Sequence, residues 1–288
     1  MCIRDRNNVP SIKRFLSEVK QSVTPMTIWK YSEVGHSQDA KQNLKKLFDG
    51  KSFFDYPKSV ELIKRCIQLY SNESSIIIDF FSGSATTAHA VMQLNAEDGG
   101  KRKFIMVQLP EETDEKSEAF KAGYENICEI GKERIRRAGE KIKEEAGLNG
   151  QDLDIGFRVL KLDSSNMKDI YYSADEYDQG MLENMQSNTK EDRTDLDLLF
   201  GCLVDWGLEL DKPYTTKVIN GHKVHIYNDG DLVACFENDL DMKTIDEIAK
   251  LQALRVVFCD NSFIDSATKI NVAEHFKMIA PDTDIRVI

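Results

Sequence analysis

An apolar run from Ser75 to Phe81 constrains the fold of this chain more strongly than any other feature. Its β-branched residues follow one another without alternation, which predicts a strand buried on both faces, as in a parallel sheet. A glycine turn at 82–87, a helix from Ala88 and a second apolar strand at 103–109 follow. Strand, turn, helix and strand within about 35 residues form a βαβ unit. The sequence therefore predicts an α/β fold with parallel strands.

The glycine turn is the first candidate for a binding site. A turn between a parallel strand and a helix lies at the carboxyl edge of the sheet, where ligands bind in open α/β folds. Gly83 would let the backbone approach a ligand, while Ser84 and Thr86 can cap the helix or donate hydroxyl hydrogen bonds. Asp79, at the end of the strand, can accept a hydrogen bond or pair with a cation. The alternative is a plain tight turn with an N-capped helix, since GxGxxG and GK[ST] are both absent.

The period of the apolar residues predicts the other elements. In the first half we predict helices at 12–19, 40–48 and 59–70, a β-rich run at 24–31, and one long charged helix at 114–145. A loose connection is predicted at 173–190. In the second half we predict strands at 157–162, 214–219, 222–228, 231–236, 254–259 and 284–288, with helices at 194–206, 242–252 and 266–279. The second half is thus predicted to hold a small α/β domain.

Composition excludes several classes of protein. Hydrophobic residues make up 41% and charged residues 30% of the 288 residues, which is typical of a globular chain rather than a disordered one. No apolar run approaches the roughly 20 residues that cross a bilayer. The first residues lack the apolar segment of a secretory signal. Six scattered cysteines without a CxxC pair favour a reducing compartment and indicate neither a zinc site nor a redox dithiol. We therefore expect a cytoplasmic protein that contacts no membrane and holds no metal.

The net charge of −11 is distributed unevenly. Residues 1–70 hold 13 Lys and Arg against 7 Asp and Glu, whereas residues 151–288 hold 14 against 27. Phosphates repel an acidic segment of this size, so any contact with DNA is expected to involve the N-terminal half. The simpler interpretation of the acidic half is a solvated surface.

Other chemically capable residues have simpler interpretations. His222 and His225 would point to opposite faces of one strand, so they cannot bind one metal from that strand. His89 is interpreted as a core histidine or one at the edge of a cofactor. Four basic residues alternate with glutamates, which indicates a salt-bridged helix face rather than a DNA groove; they are Lys132, Arg134, Arg136 and Arg137.

Residues 79–91 resemble the S-adenosylmethionine (AdoMet) motif of amino-methyltransferases that act on DNA. That motif is usually written FxGxG and here runs from Phe81 to Ala85. Residues 94–111, 124–138 and 255–288 resemble the modification (Mod) subunit of type III restriction-modification systems, a family of adenine-specific DNA methyltransferases. The resemblance implies a partial Rossmann-like methyltransferase sheet, followed by a smaller α/β C-terminal domain.

The resemblance also implies which residues bind AdoMet. Phe81 and Gly83 would line the pocket, and Asp79 would lie near the amino-acid end of the cofactor. Gln108 would stand where many relatives place an acidic residue for the ribose hydroxyls. Residues 56–63 resemble the motif that packs against the methionine portion. The complete set of expected cofactor-binding residues is Lys58, Asp79, Phe80, Phe81, Gly83, Ser84, Thr86 and Gln108.

The chain departs from the family pattern in three ways. Ser59 follows Lys58 where a proline is usual, and Ala85 replaces the second glycine of the motif, which adds a methyl group near the ligand. The sequence also contains no Pro-Pro, so it lacks the Asp-Pro-Pro-Tyr tetrapeptide that holds the flipped base. In the family that tetrapeptide precedes the cofactor motif. We therefore expect a C-terminal part of a methyltransferase subunit that has no catalytic residues and does not methylate DNA by itself.

The resemblance implies that successive segments of the chain have different functions. Residues 1–22 would be a remnant of the upstream region, 23–150 the AdoMet-binding portion, 151–190 a connection, and 191–288 a domain for subunit contacts. The expected partners are double-stranded DNA through the upstream and N-terminal regions, a restriction (Res) subunit, and a second Mod copy in a homodimer.

Two alternatives to a DNA methyltransferase remain open. The first is a non-catalytic assembly or dimerisation module with a vestigial AdoMet pocket, which Ala85, Ser59 and the absent tetrapeptide favour. The second is an RNA or protein methyltransferase that shares the cofactor motif. The likeness to Mod subunits downstream of the motif argues against the second.

Overall fold

The computed structural model describes Cys2–Arg4, Pro10–Ile12, Phe15, Ser17 and residues 24–168, 189–263 and 266–288. The chain forms two compact units, Met1–Gly156 and Phe157–Ile288. In the first unit, β1 (Cys2–Arg4) pairs antiparallel with β2 (Pro10–Ile12). Most of the helix predicted at 12–19 and of the connection predicted at 173–190 lies outside the described residues.

Three helices follow in the first unit: α1 (Tyr31–Val34), α2 (Ser37–Leu47) and α3 (Val60–Tyr70). The last two confirm predicted helices. The strand predicted at 24–31 is wrong, because none of these residues pairs with a described strand and Ile28 is 74% exposed. The indole N–H of Trp29 donates instead to the Met26 carbonyl, which closes a local turn. β propensity alone does not make a strand without a partner to pair with.

The predicted βαβ unit is confirmed. Strand β3 (Ile76–Asp79) pairs in parallel with β4 (Lys103–Met106), and α4 (Thr86–Asp98) connects them. One face of this two-stranded sheet packs against α3 and α4, where Ile77 and Phe104 contact Ile67, Val91 and Leu94.

The second face of the β3–β4 sheet is open, so the prediction of a strand buried on both faces is wrong for the described residues. Ile76 and Ile78 are 58% and 51% exposed, and Ile105 beside them is 47% exposed. Successive side chains of a strand point to opposite faces, so an unbroken apolar run is apolar on both. Within the described residues only one of those faces is covered.

The helix predicted at 114–145 is in fact two helices, α5 (Glu118–Lys121) and α6 (Ile127–Ala146). Gly123 interrupts the helix with a φ of +91°, a backbone conformation that glycine adopts without strain. Asn126 then begins α6 by accepting a hydrogen bond from the Glu129 N–H. The apolar period continues through this break, which is why the sequence pattern conceals it.

The second unit confirms the predicted α/β domain. Helix α7 (Asp195–Asp205) precedes a sheet ordered β5 (Tyr214–Ile219), β6 (His222–Tyr227), β7 (Leu232–Cys235), β8 (Arg255–Phe258) and β9 (Asp284–Val287). The first three strands are antiparallel, and β7, β8 and β9 are parallel. Helices α8 (Met242–Ala249) and α9 (Ser266–Ile279) pack on one face and α7 on the other.

The strand predicted at 157–162 is wrong. No strand is formed there, and Leu162 is 99% exposed. The segment is anchored by Arg158, whose guanidinium donates to the carbonyls of Leu210 and Lys212 and lies over the Tyr214 ring. A single long side chain therefore fixes a segment that does not join the sheet.

The described residues contain neither a candidate membrane-spanning helix nor a candidate metal-binding cluster. None of the helices formed by these residues has the length and apolar character needed to span a bilayer. In the same part of the chain, no cluster of three or more His, Cys, Asp or Glu side chains has an arrangement that could hold a metal ion.

Candidate cofactor site

The carboxyl ends of β3 and β4 bring the two loops of the candidate site together. The Gly83 N–H donates to the Gln108 Oε1 atom at 2.7 Å, and the Ser82 N–H donates to the Val107 carbonyl at 3.2 Å. The Gln108 Nε2 group donates to the Leu109 carbonyl at 3.2 Å. The glycine turn is thus tied to the end of the neighbouring strand, in the arrangement expected at the carboxyl edge of a parallel sheet.

Asp79 organises the turn from the end of β3. Its Oδ1 atom accepts the Phe81 N–H at 3.1 Å, and its Oδ2 atom accepts the Thr87 hydroxyl at 2.6 Å. One side chain therefore fixes both the start of the turn and the first turn of α4. An ionised carboxylate has about four acceptor positions, so two used here leave capacity for a donor from a ligand.

The backbone of the turn adopts the left-handed conformation twice. Gly83 has a φ of +49° and Ala85 a φ of +58°, and the Ala85 N–H donates to the Ser82 carbonyl at 2.7 Å. Helix α4 begins directly after Ala85 with no side-chain cap, so the capping role considered for Ser84 and Thr86 is not formed. The first N–H groups of a helix have no intrahelical acceptor and attract negative charge. The turn therefore presents donor groups at the carboxyl edge of the sheet.

Two aromatic rings flank the turn. Phe80 is 66% exposed and Phe81 is 86% exposed, so both present open apolar surface. A shallow, open groove of about 350 Å³ between α3 and β3 reaches Asp79 and Thr87. Rings and groove together provide apolar surface next to polar groups, the usual composition of a small-molecule site.

Lys58 lies away from this hydrogen-bond network. It is exposed in the segment before α3, next to the buried Pro57. Ser59 precedes the first turn of α3 without capping it. No hydrogen bond or ion pair within the described residues joins Lys58 to the glycine turn, so its role in binding stays a prediction.

Ser84 and Thr86 are both buried, and Arg134 of α6 contacts both. The Arg134 Nη1 group donates to the Ser84 hydroxyl at 2.8 Å, to the Thr86 hydroxyl at 2.7 Å and to the Ser84 carbonyl at 3.3 Å. Both hydroxyls therefore stabilise the turn by accepting hydrogen bonds from Arg134.

The interpretation of Arg134 as part of a salt-bridged surface is wrong, since its side chain is buried. The other three basic residues do pair with glutamates on α6: Lys132 with Glu129, and Arg136 and Arg137 with Glu133. Arg134 lies four residues from both Ile130 and Ala138, which are buried. That i, i+4 spacing could have identified it, because it places Arg134 on the apolar face of the helix.

His89 lies on α4, close to the same charges. Burial lowers the pKa of its imidazole to about 3, with smaller effects from Arg134, Lys141 and Lys64. Its Nδ1 atom is buried without a hydrogen-bond partner in the described part of the chain. The ring is therefore neutral at physiological pH, and a pKa so far below 7 makes it too weak a proton acceptor to serve as an efficient general base.

The neutral state of His89 predicts a pH dependence of stability. In the unfolded chain the imidazole binds a proton below its ordinary pKa of 6.5, whereas the folded chain does not bind one until about pH 3. The free energy of unfolding therefore falls as the pH decreases through this window. The loss is at most about 3 kcal/mol by pH 4, since each pH unit contributes about 1.36 kcal/mol.

Urea unfolding of the wild type and of a His89→Gln variant, measured between about pH 7 and pH 4, tests this prediction. The difference in unfolding free energy between the two proteins should change with pH, because only the wild type carries the imidazole. Parallel curves for the two proteins would show that His89 does not titrate in this way.

The chain is similar in sequence to several known proteins. Residues 3–144 match the profile of a family described as DNA methylase. The Mod subunit of the type III restriction-modification enzyme EcoP15I from Escherichia coli is 29% identical over 98% of this chain. The StyLTI Mod subunit of Salmonella typhimurium is 41% identical over 44% of the chain, and the EcoPI Mod subunit of Escherichia phage P1 is 35% identical over 55%.

The chain spans less than half the length of these relatives. The matches cover 42% of the EcoP15I subunit, 19% of the StyLTI subunit and 24% of the EcoPI subunit. The matches confirm the resemblance predicted from the sequence: this chain is related to DNA methylases and, along nearly its whole length, to the Mod subunits of type III restriction-modification enzymes.

Proposed function

We propose that this chain supplies the AdoMet-binding part of a site-specific DNA adenine-N6 methyltransferase, the modification subunit of a type III restriction-modification system. The observation that carries the proposal is the junction of the two loops, where the Gly83 N–H donates to the Gln108 side chain. In this proposal the two parallel strands are part of a Rossmann-like sheet, and the cofactor lies across their carboxyl ends.

The residues at this edge are chemically suited to AdoMet. Its ammonium group is a donor for the remaining acceptor positions of Asp79, its carboxylate is an acceptor for the uncapped N–H groups of α4, and its adenine can contact the Phe80 or Phe81 ring. The Gln108 amide can serve the ribose hydroxyls without adding charge. When bound, AdoMet supplies an electrophilic methyl group.

The chain's own residues do not activate the acceptor amine. The sequence has no Asp-Pro-Pro-Tyr segment to accept from the amine and stack on the base. Burial lowers the pKa of His89 to about 3, so its imidazole is a weak proton acceptor. We therefore propose that methyl transfer requires a catalytic tetrapeptide that this sequence does not contain, and that the chain alone is inactive on DNA.

The charge distribution supports an assignment of partners. Residues 1–70 carry a net positive charge, so we propose that this N-terminal region faces double-stranded DNA. The acidic α/β unit, residues 191–288, would serve protein contacts with a Res subunit or a second Mod copy in a homodimer. Such a protein would act in the cytoplasm, where its DNA substrate lies.

A non-catalytic assembly module with a vestigial pocket is the competing proposal. Ala85 supports it, because an alanine holds the left-handed position of the turn where the family pattern has a glycine. The two proposals differ in one property, which is whether the turn binds AdoMet.

Titration of the chain with AdoMet, followed by calorimetry, distinguishes the two. The methyltransferase proposal predicts saturable one-site binding with a Kd on the order of micromolar, and no comparable binding of ATP, which shares the adenosine but not the methionine. If the chain alone does not bind, the same titration of the chain joined to the N-terminal part of a Mod relative decides. Saturation there supports the proposal, and no binding in either form contradicts it.

A further inference from the structure

We infer that Arg134 is a positioning residue that holds the glycine turn in its cofactor-binding conformation. The inference deepens the proposed function and rests on it for the identity of the ligand. Arg134 does not belong to the motif that suggests AdoMet binding, and it lies 50 residues beyond Ser84 in the sequence. Its role is visible only in the folded chain.

The geometry of the contact is the first argument. One guanidinium nitrogen, Nη1, donates to oxygen atoms on both sides of Ala85: the hydroxyl and carbonyl of Ser84 and the hydroxyl of Thr86. Ala85 between them has a φ of +58°, a conformation that costs free energy for any residue with a Cβ atom. The three hydrogen bonds therefore hold the residues that flank the strained position.

The electrostatics of Arg134 is the second argument. The side chain is 2% exposed, and no carboxylate of the described residues lies within ion-pair distance, in contrast to Lys132 and Arg137 on the same helix. A buried charge is costly unless hydrogen bonds satisfy it. In the described residues all of its hydrogen bonds run from Nη1 to oxygens of the turn, and the buried Nε atom has no partner. A turn that moved away would therefore take away the acceptors that the guanidinium has. The cost of that movement favours one conformation of the turn.

Helix α6 contacts the site at two more positions on the same face. Gly131 lies one turn before Arg134, and a Cβ atom at Gly131 would be 3.4 Å from the Gly83 carbonyl oxygen. Cys128, one turn earlier again, donates from its thiol to the Gln108 carbonyl at 3.5 Å. The spacing of three residues places all three on one side of the helix. Helix α6 thus contacts both loops of the site, and Arg134 makes the polar contact.

The test compares Arg134→Met with Arg136→Met in the full chain. Both changes replace an arginine of α6 with a neutral side chain of similar length, but Arg136 is half-exposed and pairs with Glu133 outside the turn. Arg134→Lys is the conservative variant, since lysine keeps the positive charge and a donor nitrogen but loses the rigid planar guanidinium that positions Nη1. Amide hydrogen exchange of the turn is measured by mass spectrometry, and the Kd for AdoMet by calorimetry.

We expect exchange in the peptide covering 80–88 to rise roughly 10- to 100-fold in Arg134→Met, because charge-assisted hydrogen bonds of this kind are lost. The Kd for AdoMet should rise by a similar factor, about 10-fold or more. Arg134→Lys should fall between the wild type and Arg134→Met in both measurements. Arg136→Met should stay within about 2-fold of the wild type.

Three results would overturn the inference. The first is exchange of the turn in Arg134→Met that matches Arg136→Met. The second is faster exchange throughout the first unit, including α2 and β4, which would mean general destabilisation. The third is an AdoMet Kd that is unchanged although the turn exchanges faster. If AdoMet binds neither the wild-type chain nor the chain joined to the N-terminal part of a Mod relative, the proposed function fails, whereas the exchange data still decide whether Arg134 holds the turn.

Discussion

Replacing Gly83 with valine is expected to raise the Kd for AdoMet by at least about 100-fold, beyond the range of a routine calorimetric titration. Gly83 has a φ of +49°, which a β-branched residue cannot adopt without strain. A Cβ atom there would also be 3.3 Å from the Cζ atom of Phe54, so the ring or the turn must shift. A shift of the turn would displace the Gly83 N–H, which Gln108 accepts at 2.7 Å.

Gly99→Val is the matched control for this variant. Gly99 ends α4 with a φ of +71°, and a Cβ atom there would meet nothing within 4 Å. The control therefore introduces similar backbone strain without the clash and away from the carboxyl edge of the sheet. We expect it to lower stability and to leave the Kd within about 3-fold of the wild type. Equal loss of binding in both variants would mean that strain, not the turn, is responsible.

A second substitution at Gly83, to aspartate, tests the same turn with less backbone strain. Gly83→Asp introduces a residue that tolerates the left-handed region better than valine, but it adds a negative charge to the turn that the Asp79 carboxylate organises. Binding should again be weakened, since the added negative charge competes for the donors of α4. If Gly83→Asp and Gly83→Val both bind AdoMet as the wild type does, the glycine turn is not the cofactor site.

The sequence was sufficient to predict the βαβ unit and almost every element of the second unit. Both depend on local signals: a β-branched run, a glycine turn, and alternation of apolar residues along strands that pair with near neighbours. The helical spacing of apolar residues is also a local signal, and helix α9 has the bounds that were predicted for it, 266–279. The failed predictions at 24–31 and 157–162 concern segments with similar apolar content that find no partner strand. Pairing is a property of the whole fold, so such segments cannot be recognised by their own residues.

The candidate site shows the same limit. The motif indicated Asp79 and Gly83, and the parallel topology brought Gln108 to them, so these three could be placed in advance. Arg134 could not be placed in the same way, because arginines among glutamates on a helix usually face solvent. Only the position of α6 against the turn shows that this arginine points inward. The apolar period of α6 does indicate that Arg134 lies on the buried face, since Ile130 and Ala138 lie four residues before and after it and are buried.

Phe258→Ala is expected to lower the unfolding free energy of the second unit by about 3–5 kcal/mol, the usual cost of truncating a fully buried phenylalanine. Phe258 is completely buried at the end of β8, between two neighbouring strands of the five-stranded sheet. Its ring makes edge contacts with the rings of Phe263 and Phe276, at centroid distances of 5.4 Å and 6.2 Å. Alanine would therefore leave a cavity between the sheet and α9. Leu254→Ala, in an exposed position just before β8, should cost less than about 0.5 kcal/mol.

The two tryptophans of the chain allow the effect of Phe258→Ala to be assigned to one unit. Trp29 lies in the first unit and Trp206 in the second. In a Trp29→Phe background, urea unfolding monitored by fluorescence reports the second unit, and a Trp206→Phe background reports the first. Each unit has its own buried core, so Phe258→Ala should lower the unfolding free energy reported by Trp206 fluorescence and leave the value reported by Trp29 unchanged. A shift of equal size with both reporters would show that the two units unfold as one, and that a change in the acidic unit reaches the cofactor site through stability alone.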